Sequence, residues 1–156
     1  MVEGLRVSEY YEDVELGKLT WSPVFQFWRF EAGPVGGRSV IGVLAPTPKF
    51  DPFAHKELRR IRQTVAWVRA NDIAIRQHIA TEMWDWWFNE YSDPPDRKAV
   101  RTPEQFRDRL TLEVIRFDSA ETDGFLDYAD HGMMCNCGVR IYVSPKGRFT
   151  GGPEMC

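Results

Sequence analysis

The segment HGMMCNCG, residues 131–138, holds the residues whose types and spacing are most suggestive of chemistry. His131, Cys135 and Cys137, together with Cys156, could supply one histidine and three cysteines to a zinc ion. If Cys135 and Cys137 lie on a strand, they face the same side with their Cα atoms ~6.6 Å apart. That spacing fits the Cys-x₂₋₄-Cys knuckle of structural zinc sites poorly and is near the limit for a disulfide.

Three interpretations of these cysteines therefore stay open. Cysteine is among the most buried residue types and behaves in a core as a small hydrophobe. We therefore expect structural thiols and no cofactor, in a reducing compartment that fits the odd number of three cysteines. The alternatives are a zinc site formed by His131, Cys135, Cys137 and Cys156, and thiol-based redox chemistry.

An acidic stretch precedes this segment. Between positions 117 and 130 the chain has five carboxylates and no lysine or arginine, at Asp118, Glu121, Asp123, Asp127 and Asp130. Such a surface attracts a basic protein and speeds its association, although a solvated loop has the same composition. We predict that Asp118, Glu121, Asp123 and Asp127 contact a protein partner.

The stretch MWDWWFNEY contains three of the six tryptophans of the chain. At ~100° per residue, Trp84, Trp87 and Tyr91 share one stripe of a helix, which predicts that they are core residues. Exposing three such rings would forfeit more than the ~5–15 kcal/mol by which a domain is stable. Trp86 and Phe88 lie on the flanks of this stripe. They either pack against a second element or anchor a partner.

The elements that must position these residues follow from hydrophobic periodicity. LGKLTWS, VFQFWRF and SVIGVLA are typical strands, and EAGPVGG is a hairpin loop between the last two. A helical period begins at Ala54, and Asn71-Asp72 is expected to divide it into two helices, the second ending near Tyr91. Thr102 and Pro103 begin a short helix. LTLEVIRF, FLDYAD and GVRIYVS are the closing strands.

This order predicts an α+β fold, with a largely antiparallel β-sheet on which two longer helices and one short helix pack. The length of 156 residues favours a single domain, 1–156, with 1–15 as a loose N-terminal tail. The net charge of −3 argues against nucleic acid or an anionic membrane as a partner. No targeting signal is visible, so we expect a cytoplasmic protein, either a monomer or a homodimer.

The pattern also resembles a known family. ELGKLTWSP, FWRFEAGPVGGRSVIGVLAP, the helical pair ending in WFNEY, LTLEVIRF and GVRIYVSPKGRFTGG are similar to a bacterial domain family of unknown function. Several domains of that type are grouped with immunity proteins of polymorphic toxin systems. The family tends to have an aromatic residue and a histidine before the last strand, where this chain has Cys135-Asn136-Cys137.

The resemblance implies a protein-binding domain that neutralises a basic toxin domain by steric and electrostatic occlusion. No catalytic residue follows from it, and no catalytic motif is evident in the sequence, so we expect the chain not to be an enzyme. The alternative is a metal- or thiol-dependent enzyme centred on His131, Cys135 and Cys137.

Overall fold

A computed structural model describes residues 10–45, 55–118 and 123–155, with side chains from Leu58 onward in the second range. The strands are β1 Tyr10–Asp13, β2 Gly17–Ser22, β3 Phe27–Glu31, β4 Ile41–Leu44, β5 Thr111–Phe117, β6 Gly124–Ala129, β7 Val139–Val143 and β8 Phe149–Met155. The helices are α1 His55–Trp86, α2 Pro94–Ala99 and α3 Pro103–Arg109, and a π-helical turn, Trp87–Tyr91, follows α1. Within these ranges, no helix is long and apolar enough to span a membrane.

The eight strands form one sheet in chain order, β1 to β8. All neighbours are antiparallel except β4 and β5, which pair in parallel with Ile41 opposite Val114. The parallel pair occurs where the helical segment connects two four-stranded meanders, because a parallel neighbour needs a long crossover. The predicted α+β fold with a largely antiparallel sheet is confirmed.

Helix α1 buries its apolar stripe, which includes Leu58, Ile61, Val65 and Ile79. Its axis is kinked at Asn71, where φ is −127° and ψ is 18°. The predicted division of the helical segment at this position is confirmed, because two helical stretches meet at the non-helical Asn71 within α1.

The helix also positions the sheet through polar contacts. Tyr128, buried on β6, donates its hydroxyl to Asp72 Oδ1 on α1 at 2.9 Å. Burial raises the pKa of Tyr128 well above its usual value, and the negative charge of Asp72 and the hydrogen bond to it add to the effect. The face of β6 that carries Leu126 and Tyr128 is therefore the one that α1 covers.

Three elements differ from the sequence-based expectation. Residues 10–15, included in the expected N-terminal tail, instead form β1 and the turn after it. Asp13, at the end of β1, is buried and accepts hydrogen bonds from Arg62 Nε of α1 at 3.0 Å and from the Leu16 amide at 2.9 Å. Strand β8 and helix α2 were not predicted. The N-terminal cap of α3 was predicted correctly, because Thr102 Oγ1 accepts a hydrogen bond from the Gln105 amide at 3.2 Å.

Candidate functional site

The aromatic end of α1 forms part of the core. Trp87 is fully buried, with its ring 5.5 Å from Phe106 and 5.8 Å from Trp84. Its indole Nε1 donates a hydrogen bond to the Met133 carbonyl at 2.9 Å, which satisfies the buried N–H. Trp84 and Tyr91 are partly buried and pack against this core. The prediction that the tryptophan stripe fills the interior is confirmed for Trp87, whereas Trp84 and Tyr91 lie at the edge of the core.

Trp86 is partly exposed to solvent, unlike Trp87. Its side chain is 36% exposed and its ring packs on Tyr91 at 5.1 Å. It lines a surface groove of about 320 Å³ between the end of α1 and β8, together with Glu82, Met83, Pro153, Glu154 and Met155. We call this depression the Trp86 groove. Phe88, the other predicted anchor, is partly buried and packs on Trp84 at 4.9 Å, so it is not an exposed anchor.

The surroundings of the Trp86 groove are acidic. Glu82 and Glu154 line the groove and are exposed, as are Asp85 and Glu90 on the same helical segment. From residue 77 to residue 96 the chain has five carboxylates and no lysine or arginine. Trp86 is therefore flanked in the groove by the carboxylates of Glu82 and Glu154.

A loop of unusual conformation adjoins the aromatic cluster. We call residues 130–138 the Asp130 loop, because the buried Asp130 carboxylate accepts hydrogen bonds from three backbone amides within it: Gly132 at 2.9 Å, Met134 at 3.1 Å and Gly138 at 3.2 Å. Three residues other than glycine, namely His131, Cys135 and Asn136, have positive φ angles of 49°, 56° and 59°. Such strain persists only where surrounding contacts hold the backbone.

The predicted positions of the cysteines are wrong. Cys135 and Cys137 are exposed free thiols on the Asp130 loop, neither buried nor on a strand. Because Cys135 and Asn136 have left-handed backbones in a turn, the same-face geometry of a strand does not apply to the two cysteines. Cys135 Sγ accepts a hydrogen bond from Tyr91 Oη at 3.4 Å, and this contact, with burial, raises the pKa of Tyr91 to about 12. Cys156 lies outside the described residues.

His131 and Cys137 do share a cleft. It has a volume of about 470 Å³ and is lined mainly by the Asp130 loop and by β5 and β6, including Glu113, Asp127 and Asn136. His131 Nε2 lies 2.7 Å from Thr111 Oγ1. Among the residues that the structure describes, no group of three or more histidine, cysteine, aspartate or glutamate side chains is arranged to hold a metal ion.

The predicted acidic face is divided among different environments. Asp118 is exposed and Asp123 is half-buried, both near the end of the sheet opposite to the Trp86 groove. Asp127 is tied to Arg140, whose Nε and Nη2 donate to the two carboxylate oxygens at 2.8 and 3.2 Å. Glu121 lies outside the described residues.

The sequence did not lead us to predict that carboxylates surround Trp86. The charge count from residue 77 to 96 was available in the sequence as a signal. The other side of the groove gave no such signal. Its strand, β8, has the sequence FTGGPEM, whose two glycines and one proline are atypical of a strand.

Comparisons with known proteins add nothing to this geometry: no family model, no curated protein and no solved structure matches the chain.

Proposed function

We propose that the chain is a non-catalytic protein-binding domain, similar in action to bacterial toxin-immunity proteins, which binds a basic protein partner at the Trp86 groove and occludes it. The observation that carries this proposal is the 36% exposure of Trp86 in an apolar groove flanked by Glu82 and Glu154. Tryptophan is among the residues most enriched at the energetic centres of protein interfaces.

The exposed part of the ring has enough area to matter. A tryptophan has up to ~250 Å² to bury, so the exposed third corresponds to about 90 Å² and about 2 kcal/mol when a partner covers it. That is the size of an interface hot spot. The carboxylates at the rim contribute mainly to the association rate, since exposed ion pairs are screened and add little affinity.

The test begins with a photo-crosslinking amino acid at position 86, expressed in the organism's own cells, to identify the partner. Binding of the purified partner is then measured with wild type, Trp86→Ala and the double variant Glu82→Lys/Asp85→Lys. We expect Trp86→Ala to weaken affinity about 30-fold, which corresponds to ~2 kcal/mol. The charge reversals should slow association and flatten its dependence on salt.

Glu104→Lys is the matched control, because Glu104 is exposed on α3 and does not line the groove. If the partner binds Trp86→Ala and the double variant with the kinetics of wild type, the Trp86 groove is not the binding site. The corresponding reversal of Asp118 and Asp123 then tests the acidic stretch at the other end of the sheet.

A second candidate function is a thiol-dependent or metal-dependent enzyme, favoured by one observation: the Cys137 thiol is exposed in the same cleft as His131. Elemental analysis of protein purified without a tag distinguishes the metal version. Stoichiometric zinc that disappears in Cys137→Ser would support it, and zinc-free wild-type protein would exclude it.

A further inference from the structure

The sheet face opposite to α1 carries a row of residues in register. Arg29 on β3 pairs with Val43 on β4, Val43 pairs with Arg116 on β5, and Arg116 pairs with Phe125 on β6. Directly paired residues on neighbouring strands point to the same face. Leu126, adjacent to Phe125, is buried beneath α1 along with Tyr128, so this row lies on the other side.

Two carboxylates on this face form other contacts. Glu31, two residues from Arg29, accepts hydrogen bonds from Ser39 Oγ at 3.0 Å and from the Val40 amide at 3.1 Å. Asp127 is held by its two bonds from Arg140. Within the described residues, neither Arg29 nor Arg116 forms an ion pair. Neither of these two positive charges therefore has a carboxylate within ion-pair distance among the described residues.

Arg116 packs against an aromatic ring, and one of its hydrogen-bond donors has no acceptor. Its guanidinium lies 5.7 Å from the centre of the Phe125 ring, and that of Arg140 lies 4.4 Å from the same ring. Arg116 Nε is buried and has no acceptor, the one such side-chain nitrogen or oxygen in the described part of the chain. Buried polar atoms are nearly always paired, so an orphaned donor on a charged group indicates a missing acceptor.

We propose that Arg29 and Arg116 bind an oxyanion, the carboxylate or phosphate group of a ligand that lies on the sheet face opposite to α1. The two arginines are two strand spacings apart, ~9.6 Å at the backbone, and their long side chains can converge over Val43. An oxyanion there accepts from the Arg116 guanidinium, while Arg29 neutralises its second oxygen. Phe125 forms an apolar side of the site.

The neighbouring charges limit the size of the ligand. Asp118 follows Arg116 at the end of β5, and Asp123 precedes the first residue of β6, so two carboxylates lie beside one edge of the site. They would repel an extended polyanion such as nucleic acid, whose affinity comes from many phosphates. The site therefore fits a single compact anionic group.

The test follows the side-chain Nε–H signals of the arginines by ¹H–¹⁵N NMR. Inorganic phosphate and, in a second arm, acetate are titrated in at constant ionic strength set with sodium chloride. We expect the Arg116 signal to shift and saturate, with tighter binding of phosphate indicating a phosphate ligand and tighter binding of acetate a carboxylate ligand. Arg29→Gln should weaken binding about tenfold, as expected for the loss of one charge-assisted hydrogen bond.

The variants separate binding from folding. Arg29 is exposed, so Arg29→Gln should leave the Arg116 signal in place before the titration. Arg116→Lys keeps the positive charge but removes the guanidinium fork, and should abolish saturable binding. Arg109→Gln, an exposed arginine at the end of α3, is the control and should bind like wild type. The proposal is overturned if the Arg116 signal does not move, or if it moves equally in wild type and Arg29→Gln.

Discussion

Replacing Asp130 by asparagine tests how the strained loop is held. One carboxylate oxygen of Asp130 accepts from Gly132, and the other accepts from both Met134 and Gly138. Asparagine retains one oxygen, so at best it keeps two of the three bonds, now uncharged, and sets its NH₂ group against the third amide. The lost bond to a charged acceptor costs ~1.5–3 kcal/mol, and weakening the other two adds about 0.5–1 kcal/mol. We expect Asp130→Asn to lower the free energy of unfolding by about 2–4 kcal/mol.

Urea unfolding monitored by circular dichroism measures this difference, with Asp118→Asn as the control. Asp118 is exposed and accepts no hydrogen bond among the described residues, so its replacement should change stability by less than ~0.5 kcal/mol. For a chain of this length the melting temperature of Asp130→Asn should fall by roughly 4–16 °C. If the two variants are equally stable, the Asp130 carboxylate does not organise the loop.

Three further predictions concern the contacts of the core and the loop. Trp87→Phe keeps most of the ring but removes the indole N–H, and should cost about 1–3 kcal/mol in urea unfolding, whereas a change within error contradicts the role of that hydrogen bond. Burial alone would raise the pKa of Asp13, but the hydrogen bond from Arg62 and those from backbone amides outweigh it and lower the pKa. The stability from this pair is therefore complete above the ordinary aspartate pKa of ~3.9 and is lost as pH falls below it, so the urea midpoint of wild type should decline more steeply in acid than that of Asp13→Asn. Cys135→Ala should lower the pKa of Tyr91 from about 12 towards its ordinary value, measured by tyrosinate absorbance, and an unchanged titration would argue against the hydroxyl–thiol contact.

Local sequence signals were sufficient to predict those features of the fold that depend on a single interaction. The burial of Trp87 follows from the area of its ring and its place on the apolar stripe. The cap at Thr102 follows from a single side-chain hydrogen bond. The kink at Asn71 was predictable because its side chain competes for the helical backbone: Asn71 Nδ2 donates to the Trp67 carbonyl at 2.8 Å.

The remaining features depend on contacts between distant segments. Strand β1 pairs with β2, and its last residue, Asp13, contacts Arg62, 49 residues away. The two cysteines were misplaced because the turn at Asn136 is left-handed and is held by the Asp130 carboxylate and by the Trp87 contact to Met133, although Asn136 and Gly138 are local signals of a turn. For the same reason the Trp86 groove could not be predicted, since its second side is the atypical strand β8.

Fluorescence quenching of Trp86 tests the central claim most directly, namely that this ring is exposed within an acidic surface. The signal of Trp86 is isolated as the difference between wild type and Trp86→Phe, with caesium and iodide as cationic and anionic quenchers at equal ionic strength. Caesium should quench this component more strongly than iodide, because Glu82 and Glu154, which line the groove, concentrate cations beside the ring. Equal or stronger quenching by iodide, or a component that neither ion reaches, would contradict the account.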